Sequence, residues 1–424
     1  MELRMKSRIV LFTLLFALVL CGCKSRMREE IKTPYDRPLP PGQDALRKIT
    51  NPHEIPDFTI ACLDLTDLRT SITNSLNYIQ KPSSRNFFPC GQITHSRTEE
   101  SLKAFAQLLD SGLKGAQLNN AIREKFDVYI SVGCDDKGTV LFTGYYTPIF
   151  DASFVRSERF RYPLYKTPGD LLKGRNGEIL GQRQPDGTVR PYPSRAEIED
   201  SGMLKGNELV WLSDPFEAYI AHVQGSAKLR LPERQLDRAA KGLPDGQSAP
   251  GETSPKGGLI TIGYNASNGH EYHSVAQELV RDGKMSSEQI SLSAMIDYFK
   301  AHPEQVDMYV RRNPRFVFFR REEGQPRGSL NEPVTAMRSI ATDKSIFPRG
   351  ALAFITTTLP QADGAAITKK LYSGFALDQD TGGAIRAPGR CDVYMGQGDI
   401  AGKLAGQTYQ EGKLYYLFLK SQNE

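Results

Sequence analysis

The stretch from 334 to 419 constrains this chain more than any other. Short strand-like segments follow one another at 334–340, 351–357, 371–377, 392–395 and 413–419, with turn residues between them. Turn-rich strands this short predict a small closed barrel, because closure removes the unpaired edges that short strands otherwise expose. Acids and glycines concentrate in the same stretch. Asp380-Thr381-Gly382-Gly383-Ala384-Ile385 ends one segment, and Arg390-Cys391-Asp392-Val393-Tyr394 opens the next. A Gly-Gly pair lets the backbone come close to another group.

The N-terminus carries a targeting signal. Arg4, Lys6 and Arg8 precede a short apolar run over 9–20, and Leu20-Cys21-Gly22-Cys23 follows. This is the form of a bacterial lipoprotein signal, with 1–22 removed and Cys23 lipidated; an ordinary signal peptide or a single anchor helix is the alternative. Residues 24–57 are polar and proline-rich and read as a tether, whose roughly thirty residues reach on the order of 100 Å when stretched. Four cysteines remain, Cys62, Cys90, Cys134 and Cys391. An exported compartment permits a Cys62–Cys90 bridge, with free buried thiols the alternative. There is no CxxC pair and the histidines are scattered, so no metal site or cofactor is expected. The net charge of +5 is mild and spread out, which argues against nucleic acid.

Along the chain, Leu65, Leu68, Ile72, Leu76 and Ile79 share one helix face, as do Leu102, Phe105, Leu108 and Leu109. A third helix is expected over 118–125. The alternation from Phe126 to Val132 predicts a strand, Asp135-Asp136-Lys137-Gly138 a turn, and 139–146 the return strand. In Thr143-Gly144-Tyr145-Tyr146, adjacent tyrosines point to opposite strand faces, so one can be core while the other offers a flat ring. The texture over 148–262 shifts to short strands rich in proline and glycine, which predicts a second β domain. A helix is expected over 214–221, followed by Gln224-Gly225-Ser226, and 232–258 reads as a surface loop. Helices return over 274–282 and after Ser286 or Ser287, before a buried strand at Phe316-Val317-Phe318-Phe319.

Several chemistries can be weighed. Asp380-Thr381-Gly382 suits an aspartic protease, but the acid-Ser-Gly triplets at Asp110 and Asp200 do not follow apolar strands, so a second active aspartate is missing. No Gly-x-Ser-x-Gly elbow accompanies His270 or His273, which read as surface or capping residues. Carboxylate acid catalysis remains, with Asp392 in the more apolar setting and Asp380 near enough in sequence to perturb it. On spacing alone, a turn cap and a solvated strand acid remain the favoured reading of this pair.

The motif from Asp380 to Ile385 with Asp392-Val393-Tyr394 resembles the "3D" domain, named for three aspartates, the first matching Asp343. Upstream, 142–148, 223–226, Asn268-Gly269-His270 and Asn313-Pro314 with 316–319 resemble the membrane-bound lytic murein transglycosylase A family. The motifs run in order from about 127 to 419. The resemblance implies a mainly β fold with flanking helices (α+β): a double-psi β-barrel domain over 58–147 and 263–424, including the 3D region at about 333–420, with a second β domain inserted at 148–262.

It also implies a peptidoglycan lytic transglycosylase. Such an enzyme cleaves the β-1,4 bond between N-acetylmuramic acid and N-acetylglucosamine without water and leaves 1,6-anhydro ends. Asp392 matches the catalytic acid, and Asp380 and Asp343 tune or hold it. Thr143, Gly144, Tyr145, Tyr146, Gln224, Gly225, Ser226, Gly382, Gly383 and Ala384 line the substrate groove. The expected partners are peptidoglycan glycan strands, the membrane through lipidated Cys23, and other cell-wall proteins, at the periplasmic face of the outer membrane. The link from Arg386 to Cys391 is about a residue longer than the family pattern, which bears on how Asp392 is presented. The alternatives are a muramidase that pairs Asp380 with Asp392 and a non-catalytic wall-binding lipoprotein; retention of all three aspartates argues against the latter.

Overall fold

The computed structural model describes residues 33–232 and 258–421, apart from the single positions 176, 288 and 365. The signal segment, Cys23 and most of the 232–258 loop lie outside the described residues. The chain falls into two units, Met1–Pro34 and Tyr35–Glu424.

Its strands, in chain order, are β1 (Leu46–Lys48), β2 (Phe126–Ser131), β3 (Val140–Thr147), β4 (Ile149–Ser153), β5 (Tyr162–Tyr165), β6 (Leu171–Lys173), β7 (Ile179–Arg183), β8 (Val189–Arg190) and β9 (Glu208–Leu212). They continue with β10 (Ser226–Arg230), β11 (Leu259–Ser267), β12 (Val317–Glu322), β13 (Ser339–Ala341), β14 (Leu352–Asp363), β15 (Ala366–Asp380), β16 (Arg390–Gln397) and β17 (Tyr409–Leu419). Six of these close on themselves in the order β17-β14-β15-β13-β16-β3 and back to β17, and β2 and β1 extend the sheet from β17. Two of the pairings are parallel, β13 with β15 and β16 with β3. This is the closed barrel expected from the C-terminal strands.

Strand alternation sorts the side chains. Phe142, Ile355, Ala376, Cys391, Val393, Leu414 and Tyr416 fill the barrel interior. Phe354, Phe375, Leu377 and Leu417 point outward under three helices, α1 (Leu68–Ile79), α2 (His95–Asp110) and α3 (Gly115–Lys125). The helices contribute Leu68, Ile72, Leu102, Phe105, Leu118 and Ile122 to that layer. At roughly 2 kcal/mol per fully buried large apolar side chain, this packing is what holds the helices in place. Thr94 caps α2 by accepting the Arg97 N–H at 3.1 Å.

The structure corrects several sequence expectations. The tether reading fails for its second half. Leu46–Lys48 pairs antiparallel with β2, and Ala45 and Ile49 are buried. A three-residue strand among prolines has too little periodicity to show in sequence. The expected β2–β3 hairpin does not form either, because β17 lies between the two strands and pairs with both. The turn at Asp135–Gly138 is present, with Cys134 N–H donating to Thr139 O at 2.9 Å, but it joins strands that diverge. Cys62, Cys90, Cys134 and Cys391 are all free thiols.

The second domain extends beyond position 262. Its sheet runs β12-β11-β10-β4-β9-β5, so β11 and β12 belong to it, and a bridge from Lys166 to Phe319 brings its two ends together. A small sheet, β6-β7-β8, sits beside it. Its core collects Phe150, Val210, Leu212, Leu229, Ile262 and Phe319 under α5 (Pro215–Gln224), which follows α4 (Arg195–Ser201). The helices α6 (Val275–Arg281), α7 (Leu292–Ala301) and α8 (Val306–Val310) come between β11 and β12, and α9 (Gly398–Gln407) lies between β16 and β17. Asp214 fixes the start of α5 by accepting the N–H groups of Phe216 and Glu217 at 2.8 and 2.9 Å. Only Pro148 separates β3 of the barrel from β4 of the insert. Among the described residues no helix is long and apolar enough to cross a membrane.

Candidate active site

The two acids flank one strand. Ala341 on β13 is the register partner of Asp380 on β15 and also of Asp392 on β16. Cys391, Val393 and Met395 point into the barrel, so Asp392 and Tyr394 point out. Across the parallel pairing, Asp392 stands opposite Thr143 and Tyr394 opposite Tyr145. The Thr143 hydroxyl donates to Asp392 Oδ1. Burial raises the Asp392 pKa above the ordinary carboxylate value, opposed by the charge of Arg390 and the Thr143 hydrogen bond.

Asp380 is held differently. Its Oδ1 accepts the N–H groups of Ser329 and Thr381, both at 2.8 Å. Burial pushes its pKa up to about 6, against the pull of these donors and of Lys344. The Tyr145 hydroxyl is buried beside Asp380, where it favours the charged carboxylate. The Tyr145 ring packs on Tyr394 at 5.1 Å between centroids, and the Tyr394 hydroxyl reaches Thr147 Oγ1 at 2.8 Å.

Asp343 touches neither carboxylate. Its Oδ1 accepts from the Ser345 backbone and hydroxyl at 3.0 and 2.6 Å. Its Oδ2 accepts the Ala387 N–H at 3.0 Å. Ala387 has φ +66°, a left-handed conformation costly for a residue with a Cβ. The link between the acids is thus pinned at Ala387 from Asp343. Behind the acids, buried Asp378 pairs with buried Lys344 and accepts the hydroxyls of Thr342 and Tyr416, each at 2.7 Å.

A cleft of about 430 Å³ opens over this region. Tyr145, Tyr394, Asp380, Thr381, Gly382 and Gly383 line its barrel side, and Gln224, Gly225, Ser226, Tyr264 and Arg315 line its insert side. The expected groove residues divide. Tyr145 faces the cleft, whereas Tyr146 is buried and its N–H donates to Gln224 Oε1 at 3.1 Å. Gln224 and Ser226 therefore join the insert to β3 as well as lining the cleft, Ser226 Oγ lying 3.3 Å from Thr147 Oγ1. Gly144 is corrected. A Cβ there would meet the Ala405 backbone at 2.7 Å, so this glycine admits α9 rather than a ligand. At Gly383 the close approach comes from Arg315, whose Nε would lie 3.2 Å from an added Cβ. Ala384 is exposed. Asp392 is not among the residues that line this cleft; its contacts are the Thr143 hydroxyl and the charge of Arg390.

Sequence reasoning gave no role to Ser329, Arg315, Lys344 or Arg386. Ser329 reaches Asp380 from a distant turn, Lys344 pairs with Asp378, and Arg315 and Arg386 line the cleft. Lys344 and Arg386 stand within the motifs around Asp343 and Asp392, and Arg315 follows Asn313-Pro314.

Comparison with known proteins agrees with the geometry. The MltA specific insert domain matches over residues 141–241 and 251–320, and the 3D domain over 338–418. Membrane-bound lytic murein transglycosylase A of Escherichia coli K12 is 28% identical over 422 residues, 97% of each chain. That of Vibrio cholerae is 28% identical over 324 residues, 74% of this chain and 72% of the other. Two solved structures share the fold. A membrane-bound lytic murein transglycosylase from Agrobacterium tumefaciens has a TM-score of 0.69 at 23% identity, covering 88% of this chain and 98% of that one. E. coli MltA with bound chitohexaose has a TM-score of 0.62 at 23% identity, covering 92% and 99%. The chain belongs to the membrane-bound lytic murein transglycosylase A family and carries its insert domain and its 3D domain.

Proposed function

We propose that this protein is a peptidoglycan lytic transglycosylase that cleaves the MurNAc-β-1,4-GlcNAc bond and leaves a 1,6-anhydro end. The observation that carries the reading is Asp392: a desolvated carboxyl with a raised pKa, one hydroxyl donor and no backbone N–H donor. Such a group keeps its proton more easily than an ordinary aspartate and can give it up in the reaction. Asp380, with two N–H donors on one oxygen, is committed to accepting hydrogen bonds.

In this mechanism Asp392 donates its proton to the glycosidic oxygen as the bond from that oxygen to C1 breaks. The leaving GlcNAc departs as an alcohol. Positive charge grows at C1 of the muramic ring. The ring's own C6 hydroxyl oxygen bonds to C1, and its proton passes to the Asp392 carboxylate. The acid is regenerated and no water is consumed. Asp380 places a second negative field at the cleft while charge develops. Tyr145, which lines the cleft beside Asp380, offers its ring to the sugar. Asp343 positions the link that presents Asp392.

Relatives named membrane-bound, together with the N-terminal signal, support a lipid anchor at Cys23 facing the periplasm from the outer membrane. The raised Asp380 pKa supports a second reading, a muramidase in which both acids act. Mass spectrometry of digested wall separates the two, since anhydro ends support the first and reducing muramic ends the second.

A further inference from the structure

The cleft holds more positive charge than its own carboxylates pair. Arg315, Arg320, Arg327, Lys173 and Arg386 all line it, against Asp380 and Glu322. Glu322 is taken by Arg320 at 3.1 Å. Among the described residues, Arg315, Arg327, Lys173 and Arg386 have no carboxylate within ion-pair distance. Three of the four bond only to backbone carbonyls or a phenol. Arg315 donates to His270 O at 3.1 Å, Arg327 to Asn331 O at 2.8 Å and Lys173 to Asn265 O at 2.5 Å. Arg315 is half-buried, and its guanidinium is disfavoured by burial and by neighbouring Arg386. Cleft cations with no carboxylate partner are left to take an anion that arrives there.

A neutral N-acetylglucosamine backbone has no anion to offer. A glycan strand of the wall does, either at the lactyl ether of muramic acid when that is free or at the acidic residues of the attached peptide. We propose that Arg386, Arg315 and Arg327 form a carboxylate-reading wall that selects strands bearing acidic substituents over neutral ones. Arg315 packs against Gly383, three residues past Asp380, so a carboxylate held there fixes the register of the sugar presented to the acids. Exposed Arg386 lies on the same link as Asp392 and draws the anion from solution. This rests on the proposed function for its substrate class, but its test reads binding, not cleavage.

The test uses the Asp392→Asn protein, in which strands stay intact, and compares it with the Asp392→Asn/Arg386→Gln and Asp392→Asn/Arg327→Gln proteins. Kd is measured for three probes: chitohexaose, peptide-free murein strands with free lactyl carboxylates, and intact peptide-bearing strands. Loss of either arginine is expected to weaken an acidic strand about tenfold at low salt, an effect that shrinks as ionic strength rises, and to change chitohexaose binding less than twofold. Weakening of peptide-free strands assigns the wall to the lactyl carboxylate; weakening of intact strands alone assigns it to the peptide. Equal weakening of all three probes, or none for either acidic strand, overturns the proposal. Absence of anhydro products from the unmodified enzyme counts instead against the reaction.

Discussion

Thr143 on β3 and Asp392 on β16 occupy one register position of two parallel strands, and the threonine hydroxyl donates to the carboxylate. That donor favours the charged form and partly offsets the effect of burial. Thr143→Val is expected to raise the Asp392 pKa further and move the alkaline limb of the pH–rate profile upward. Loss of orientation should lower kcat by about three- to tenfold. Thr143→Ser is expected to restore both. An unmoved alkaline limb in Thr143→Val would show that Asp392 does not govern it.

Asp343 acts through Ala387. Asp343→Ala leaves a buried N–H without its acceptor at a left-handed residue, and is expected to cost about 1–3 kcal/mol. Because Ala387 belongs to the link leading to Asp392, kcat should fall more than KM rises. Asp343→Asn keeps an acceptor oxygen and should recover part of both. Thermal melts and steady-state kinetics on the three proteins check this.

Asp380 sets a pH dependence of stability. Its folded pKa, about 6, lies above the 3.8 of an ordinary aspartate, so the native state holds the proton more tightly than the unfolded chain. Its contribution is fully present below the unfolded pKa and is lost as pH rises through about 6. Asp380→Asn removes this titration. Urea unfolding between pH 4 and 8 should show a flatter curve for the variant, with a relative gain on the order of 1–2 kcal/mol at pH 8 after allowance for partial exposure. A variant curve parallel to wild type would contradict the assignment.

Lys344 and Asp378 form a buried pair behind the acids, with side chains 3% and 0% exposed. Lys344→Met strands the Asp378 charge and is expected to cost about 3–5 kcal/mol. Lys344→Met/Asp378→Asn should be less damaged than Lys344→Met alone. Denaturant midpoints of the two variants decide it.

How much of this was legible in the sequence depended on range. The Tyr145/Tyr146 division followed from the two-residue period of a strand, and the helices around Leu68 and Leu102 from helical spacing. The motifs around Asp380 and Asp392 marked the barrel and the acids together. Long-range pairing was not legible. Nothing near Val128 or Leu141 announces that β17 will come between β2 and β3. The Gly382-Gly383 pair correctly signalled a close approach, but its partner proved to be Arg315 of the insert. Asp343 resembled a third catalytic acid, and only the fold shows it holding Ala387.

The most direct test of the central claim is mass spectrometry of peptidoglycan digested by the wild-type and Asp392→Asn proteins. Wild type is expected to release muropeptides with 1,6-anhydro-muramic ends, and Asp392→Asn, folded by its melt, to release none. Reducing ends from wild type, or anhydro ends from Asp392→Asn at the wild-type rate, would contradict the single-acid mechanism.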